Sequence, residues 1–130
     1  LPESRVARCS SLYRTAPVGI LSQPDFVNAV AVLETKLPPE SLLDALLDIE
    51  ARFGRIRRER NGPRTLDLDL LLYDDIELDL PRLTLPHPRL HLRAFVLLPL
   101  AEVAPELAIP RRGSVAAWLP AVANQGIVRL

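Results

Sequence analysis

The sequence predicts a single domain of the α+β class that spans residues 1–130. Strand-like segments come first, one amphipathic helix follows, and short strands and helices end the chain, an order typical of α+β proteins. The 130 residues suffice for one domain with a hydrophobic core and are too few for two. Hydrophobic residues make up 48% and charged residues 25%, as in ordinary globular proteins.

Two antiparallel strands are predicted in the first part of the chain. Residues 5–14 alternate in polarity, and residues 26–35 are rich in valine. Prolines and a glycine interrupt residues 15–26, which are predicted to form the connecting loop. Cys9 lies in the first of these strands and is predicted to be a small buried hydrophobe.

A helix is predicted from Pro39 to Gly54. Pro39 suits a first helical position, Gly54 is a natural stop, and leucines between them follow one apolar stripe up to Phe53. Shorter patterns predict the later elements. In order they are a loop at 55–64, a strand at 66–73, a turn at 74–75, a return strand at 76–78, an irregular proline-rich connection at 81–93, helices at 93–100 and 115–122, and a strand at 127–130.

Charge balance and cysteine content limit the classes of partner and compartment. The net charge is +0, so neither nucleic acid nor a membrane is predicted as a partner. No apolar run approaches the roughly 18 residues of a membrane span, and no signal peptide is visible. A single cysteine excludes an internal disulfide, which predicts a reducing cytoplasm. The sequence does not open with methionine, so the chain can begin inside a longer protein.

The stretch "NGPRTLDLDLLLYDD" carries two carboxylates within a run of leucines. On the predicted strand, Asp67 and Asp69 point to one face about 6.5 Å apart along the chain, and they repel each other unless a cation lies nearby. A solvated strand face without a ligand also fits the pattern alone. Mg²⁺ takes one or two carboxylates together with water and phosphate oxygens, and two ions about 4 Å apart serve phosphoryl transfer. The flanking leucines and nearby Arg64 favour the metal site.

Six arginines fall within 13 residues up to the start of this strand, at Arg52, Arg55, Arg57, Arg58, Arg60 and Arg64. Guanidinium groups bind phosphate oxygens in pairs of hydrogen bonds. A polyphosphate between this cluster and a carboxylate-bound magnesium ion is therefore one interpretation, and a solvated loop that contacts RNA is the other. Neither of the common glycine-rich phosphate motifs, G-x-x-x-x-G-K-[ST] or G-x-G-x-x-G, is present.

Two histidines follow in the proline-rich connection. His87 and His91 have a spacing that can bind zinc on a helix, but Pro86 and Pro88 exclude a regular helix around His87, so zinc is disfavoured. A phosphate or nucleotide contact by His87 and Arg93 is the stronger interpretation.

The few aromatic side chains are a further group of candidates. Phe26 and Phe95 lie beside predicted loops, and Tyr13 and Trp118 are predicted packing residues. Two rings can sandwich a flat heterocycle. Spacing alone favours simple core packing over such a slot.

Five segments carry a family resemblance: "SSLYRTAPVG", "QPDFVNAVAVLET", "FGRIRRERNGPR", "GPRTLDLDLLLYDD" and "LPHPRLHLRAFVLLPLAEVAPEL". Together they resemble the 6-hydroxymethyl-7,8-dihydropterin pyrophosphokinases of the folate pathway, in the family's order and over essentially the whole chain. The resemblance implies a ferredoxin-like antiparallel sheet with helices packed on it. It also implies transfer of pyrophosphate from ATP to the pterin hydroxymethyl group, with release of AMP and use of two Mg²⁺ ions.

The same resemblance implies a set of site residues in a cytoplasmic monomer whose partners are ATP and the pterin. The implied metal ligands are Asp67 and Asp69, and the implied catalytic arginines are Arg55 and Arg57 on a mobile loop together with Arg64. The implied ATP contacts are Glu50, Arg64, His87 and Arg93. The implied pterin contacts are Thr15, Val18, Asn28 and the two stacking rings Phe26 and Phe95.

Two departures from the family pattern accompany the resemblance. The family usually opens with a strand ending in Gly-Ser-Asn and then a helix, and this sequence begins after both, so we expect an N-terminally incomplete domain. Asn61 stands where relatives are often aromatic. Two alternatives stay open, a non-catalytic interaction module on the same fold and one domain of a multifunctional folate enzyme.

Overall fold

The computed structural model describes residues 1–15, 26–54 and 67–130, and within these ranges it combines helices with small antiparallel sheets. The strands are β1 (Ser4–Cys9), β2 (Tyr13–Thr15), β3 (Phe26–Asn28), β4 (Ala31–Thr35), β5 (Leu78–Leu80), β6 (Leu83–Leu85), β7 (Ala108–Ile109), β8 (Gly113–Ser114) and β9 (Ile127–Arg129). The helices are α1 (Pro39–Gly54) and α2 (Ala94–Val103), with 3₁₀ helices at Leu90–Leu92 and Val115–Val122. The α+β prediction is confirmed. The described strands form separate small sheets, so a single ferredoxin-like sheet stays a prediction.

The strands predicted at 5–14 and 26–35 are present and antiparallel, and each is interrupted once. β1 pairs with β4, and β2 pairs with β3. At the interruption the Ser10 N–H donates to the Val30 carbonyl at 2.8 Å, and the Val30 N–H donates to the Ser10 Oγ at 2.9 Å. The Ser10 hydroxyl thus replaces a backbone acceptor and leaves no unpaired amide at Val30. Most of the predicted connecting loop, residues 16–25, lies outside the described residues.

The prediction that Cys9 is buried is wrong, because this residue is exposed. Every residue of β1 after Ser4 is exposed as well. A small apolar residue on a strand is buried only where a second layer covers its face. In the described part of the chain no such layer covers β1, and the sequence of the strand carries no information about that layer.

The strand predicted at the end of the chain is confirmed as β9. It pairs antiparallel with β2, with Tyr13 opposite Arg129 and Thr15 opposite Ile127. β2 is therefore the central strand of a three-stranded sheet in the order β3, β2, β9. This pairing brings the last residues of the chain next to the first hairpin.

α1 begins and ends as predicted, at Pro39 and Gly54. Leu42 and Leu46 form its buried row, with 3% and 8% of their surface exposed. Phe53, at the end of the predicted apolar stripe, is 47% exposed. The helix therefore buries Leu42 and Leu46 in the protein. The more exposed part of the stripe includes Leu47, which lines the cleft described below.

The strand predicted at 66–73 is wrong for its described part, because residues 67–73 belong to no sheet among the described strands. Separate hydrogen bonds hold this segment instead, including one in which the His87 N–H donates to the Leu71 carbonyl at 2.8 Å. Polarity alternation correctly indicates which side chains share a face. The alternation carries no information about whether a partner strand is present, and a ladder of hydrogen bonds needs such a partner.

The hairpin after this segment is displaced from its predicted position. The turn at Asp74 and Asp75 is confirmed, but the return strand predicted at 76–78 is wrong. β5 begins only at Leu78 and pairs with β6, which lies inside the stretch predicted to be irregular. β7 and β8, each two residues long, are too short for a periodic pattern to predict.

The core is built around α2, whose sequence is apolar except for one glutamate. Leu97 is 0% exposed, and the two 3₁₀ helices pack against it with Leu90 and Val115, which are also 0% exposed. The helices predicted at 93–100 and 115–122 are confirmed, the second as a 3₁₀ helix. Within the described ranges, no helix has both the length and the apolar character needed to cross a bilayer.

We expect Leu97→Ala to lower the free energy of unfolding by about 2–5 kcal/mol, because it leaves a cavity in a closely packed core. Urea-induced unfolding followed by circular dichroism measures this change. Leu92→Ala is the matched control: Leu92 is 53% exposed, so its truncation should change the stability by no more than about 0.5 kcal/mol. Similar losses in the two variants would contradict the position of the core.

Candidate active site

A cleft of about 440 Å³ lies between α1, residues 67–70 and the β5–β6 hairpin. Its volume falls in the range of small-molecule sites, roughly 300–1,000 Å³. Its lining combines apolar and ionisable groups. The apolar members include Leu43, Leu47, Leu68, Leu70 and Leu83, and the polar members are Glu50, Asp67, Asp69, Arg82, Thr84 and His87.

The two predicted metal ligands lie together in this cleft. Asp67 and Asp69 are exposed, whereas Leu68 and Leu70 are half-buried, so the alternation predicted for this segment is present even without a sheet. The described residues contain no cluster of three or more His, Cys, Asp or Glu side chains suited to a metal. Two carboxylates fit Mg²⁺, because this ion is held by one or two protein carboxylates and completes its shell with water and substrate phosphates.

Glu50 holds the backbone between these two aspartates. Its Oε2 accepts a hydrogen bond of 2.5 Å from the N–H of Leu68, the residue that separates Asp67 from Asp69. Glu50 lies in the last part of α1, so this bond ties the acidic segment to a regular helix. The resemblance implied an ATP contact for Glu50, and the structure adds a positioning contact that no sequence pattern indicated.

His87 lines the same cleft as Asp69 and is close enough to interact with its charge. Its Nδ1 accepts a hydrogen bond of 3.2 Å from the N–H of Arg89, so the neutral ring carries its proton on Nε2. Burial lowers the pKa of His87, and the positive charges of Arg93 and Arg89 lower it further, while Asp69 acts in the opposite direction. His87 is therefore a neutral imidazole at pH 7, with an Nε2–H that can donate to a phosphate oxygen.

His91 has a structural role separate from that of His87. It is 7% exposed, and its ring meets Trp118 edge to face with the centroids 4.8 Å apart. Burial and the charge of Arg112 lower the pKa of His91. Trp118 donates from Nε1 to the Arg112 carbonyl at 2.9 Å, in agreement with its predicted packing role.

Arg93 and Phe95 meet at the start of α2. The Arg93 guanidinium lies over the Phe95 ring, 5.3 Å from its centroid, in a cation–π contact. Arg93 also influences the pKa of His87, which places its charge near the cleft. The structure thus brings an implied ATP contact next to an implied pterin contact.

Three of the other implied pterin residues lie on the three-stranded sheet of β3, β2 and β9, called the central sheet below. Thr15 on β2 pairs with Phe26 on β3, and Asn28 pairs with Tyr13 two positions away in the same ladder. Thr15 and Asn28 are half-buried, and α2 packs against β2. Val18 and the arginines Arg55, Arg57 and Arg64 lie outside the described residues.

Arg82 and Thr84 line the cleft and were missed by the sequence reasoning. Both lie on the β5–β6 hairpin, in the stretch predicted to be irregular. Arg82 pairs with Asp44 of α1, whose carboxylate raises the pKa of the guanidinium. One arginine and one threonine near a turn carry no sequence signal, because only the folding of the hairpin onto α1 brings them to the cleft.

Comparison with known proteins identifies the family. A family model described as 7,8-dihydro-6-hydroxymethylpterin-pyrophosphokinase matches residues 1–105. The chain belongs to this family. The match to the pyrophosphokinase model includes every residue implied above for the metal, the nucleotide and the pterin.

Curated relatives support the same assignment. A protein of Pseudomonas aeruginosa named 2-amino-4-hydroxy-6-hydroxymethyldihydropteridine pyrophosphokinase is 52% identical over 130 residues, 100% of this chain and 80% of the relative. Its namesake in Haemophilus influenzae is 42% identical over 130 residues, 100% of this chain and 81% of the relative. In Synechocystis the protein of that name is 54% identical over 108 residues, 83% of this chain and 55% of the relative.

We expect Glu50→Ala to speed hydrogen exchange at the Leu68 amide by roughly ten- to a hundredfold, because a hydrogen bond to a charged group contributes about 1.5–3 kcal/mol. Amide exchange followed by NMR measures this effect. Glu50→Gln keeps an acceptor oxygen and should retain most of the protection. Glu40→Ala, at the other end of α1, is the control. Unchanged Leu68 exchange in Glu50→Ala would contradict the positioning contact.

Proposed function

We propose that this chain transfers pyrophosphate from ATP to the hydroxymethyl group of 6-hydroxymethyl-7,8-dihydropterin, giving AMP and the pterin diphosphate, in folate biosynthesis. The observation that carries this proposal is the position of Asp67 and Asp69 in one cleft with His87, in a chain of the pyrophosphokinase family. The hydroxymethyl oxygen attacks the β-phosphorus of ATP. The bond from that phosphorus to the oxygen bridging the α- and β-phosphates breaks, AMP leaves with the electron pair, and the hydroxyl proton is released.

The order of the cleft residues along α1 supports a direction for bound ATP. Leu43, Leu47 and Glu50 recur at positions i, i+4 and i+7, so they share one helix face over about 10 Å. The leucine end suits the adenine base. The Glu50 end is hydrogen-bonded to the segment of Asp67 and Asp69 and suits the phosphates.

We assign two Mg²⁺ ions to Asp67 and Asp69 together with the phosphate oxygens of ATP. Bound magnesium neutralises phosphate charge and makes the phosphorus more open to attack. His87 donates from Nε2 to a phosphate oxygen, which the neutral tautomer described above allows. Arg93 adds positive charge near His87.

We assign the pterin to a slot formed by Phe95 on α2 and by Thr15 and Asn28 on the central sheet, with Val18 and Phe26 as further contacts. The packing of α2 against β2 supports this assignment. Arg55, Arg57 and Arg64 are proposed to stabilise charge on the transferred group, on the basis of the resemblance alone.

Three broader assignments complete the proposal. The chain acts as a monomer, because all the proposed ligand groups belong to one chain. It is active in the reducing cytoplasm, which the exposed free thiol of Cys9 supports. Its strands belong to the ferredoxin-like arrangement of the family.

We expect Asp67→Ala and Asp69→Ala each to lower turnover by at least about a hundredfold, because each removes a ligand of the metal that neutralises the phosphates. AMP release in a coupled assay measures turnover, and binding of Mn²⁺ in the presence of an ATP analogue measures metal affinity. Asp79→Ala is the control, since Asp79 is exposed on β5 and does not line the cleft. Near-normal turnover of Asp67→Ala would remove the metal role.

We expect Asn28→Leu to weaken pterin binding by about ten- to a hundredfold, because the polar edge of the pterin loses its partner and is buried unsatisfied. Phe95→Leu keeps an apolar surface and loses only ring stacking, so its effect should be about three- to tenfold. Fluorescence titration with the pterin and a non-hydrolysable ATP analogue compares the two. If Asn28→Leu binds the pterin as tightly as the parent, the slot is misplaced.

A further inference from the structure

A single carboxylate joins the two elements that carry the proposed pterin slot. Glu102, in the last turn of α2, accepts a hydrogen bond of 2.7 Å from the hydroxyl of Tyr13 on β2. It also accepts the Ser11 N–H, at 3.1 and 3.0 Å from its two oxygens, and the Ser11 Oγ at 3.0 Å. The Tyr13 side chain is 7% exposed, so this contact lies at the edge of the core.

The charge state of this contact agrees with its geometry. The hydrogen bond from Tyr13 lowers the pKa of Glu102, and the Ser11 donors and Arg129 lower it further. Burial raises the pKa of Tyr13, and its bond to Glu102 raises it more. At neutral pH the pair is therefore a phenol that donates to a carboxylate, the arrangement in which every donor points at an acceptor.

The C-terminal strand is fastened to the same carboxylate. Arg129 on β9 donates from Nε to the Ser11 Oγ at 3.1 Å, and its Nη2 is 3.6 Å from Glu102 Oε2. Arg129 lies opposite Tyr13 in the ladder, so both side chains are on one face of the sheet. Glu102 thus connects α2, β2 and β9.

The spacing along each element relates this carboxylate to the slot. Glu102 and Phe95 are seven residues apart on α2, which puts them on nearly the same helix face, about 10 Å apart along the axis. Tyr13 and Thr15 are two residues apart on β2 and share a face of the sheet, and Asn28 lies directly across from Tyr13. The Glu102 contacts therefore join the helix face of Phe95 to the sheet face of Thr15 and Asn28.

We propose that Glu102 is a positioning residue for the pterin slot, which fixes the separation between Phe95 on α2 and the pair Thr15 and Asn28 on the sheet. This inference rests on the proposed function, because the slot is part of it. A flat ring that stacks on one wall and donates hydrogen bonds to the other needs both walls at a fixed distance. Displacements on the order of 1 Å in such sites are costly. A carboxylate with three hydrogen-bond donors and a nearby guanidinium holds this distance more strictly than apolar contact does.

The test compares Glu102→Ala with the parent and with a matched control. Glu34→Ala is that control, because Glu34 also accepts from an arginine, Arg5 Nε at 2.8 Å, but on the β1–β4 ladder away from the slot. Titration calorimetry gives the affinity for the ATP analogue with Mg²⁺ alone. A second titration gives the affinity for the pterin in the presence of that analogue. Steady-state assays give KM for the pterin and kcat.

We expect Glu102→Ala to weaken pterin binding and raise its KM by about tenfold, the loss of one to two hydrogen bonds to a charged group. The affinity for the ATP analogue should stay within about twofold, because the cleft in which we place ATP is built by other elements. Glu102→Gln keeps the acceptor for Tyr13 but turns an amide toward the Ser11 donors, so it should recover part of the pterin affinity. Glu34→Ala should match the parent in every measurement.

Tyr13→Phe keeps the test decisive if Glu102→Ala fails to fold. It removes only the hydroxyl and should weaken pterin binding by about threefold, with circular dichroism verifying the fold. Equal losses of pterin and ATP-analogue affinity would mark Glu102 as a general stability residue and overturn the proposal. Parent-like pterin binding in both variants would overturn it too, while leaving the proposed function intact. Absence of pterin binding by the parent itself would overturn the proposed function and this inference together.

Discussion

Helix α2 is apolar along almost its whole length, and its burial constrains the positions of the other elements of the core and the site. Leu97 and the residues around it are shielded from water because the two 3₁₀ helices and β2 pack against α2. The same burial fixes the polar groups at its ends. Arg93 and Phe95 stand at its beginning and Glu102 in its last turn, so the packing of one apolar helix sets the geometry of two polar contacts.

The cleft depends on a second connection, between the end of α1 and the acidic segment. Asp67 and Asp69 are on a segment without strand partners among the described residues, and such a backbone has no ladder to hold its side chains in register. The Glu50 bond to the Leu68 amide supplies part of that restraint. With a net charge of +0, the chain concentrates carboxylates locally at this segment and holds its backbone with a further carboxylate, Glu50.

Sequence reasoning succeeded where a pattern extends over one continuous element. The antiparallel strands, α1 from Pro39 to Gly54, α2 and β9 all follow from local periodicity and from stop signals. It was wrong at residues 67–73, where alternation suggested a strand, and at Cys9, where a small apolar residue suggested burial. Both errors concern a neighbouring layer or strand, which a local pattern does not encode.

The sequence by itself determined the family, the shared face of Asp67 and Asp69, and the extent of α1 from Pro39 to Gly54, because each depends on motifs or periodicities that are local along the chain. Tertiary structure alone decided that Arg82 lies in the cleft, that Glu50 accepts from the backbone between the aspartates, and that Glu102 meets Tyr13. These contacts join residues 18 and 89 positions apart in the last two cases. A hydrogen bond over such a separation forms only after the apolar faces of the intervening elements have packed, so its partners follow from the fold and not from local pattern.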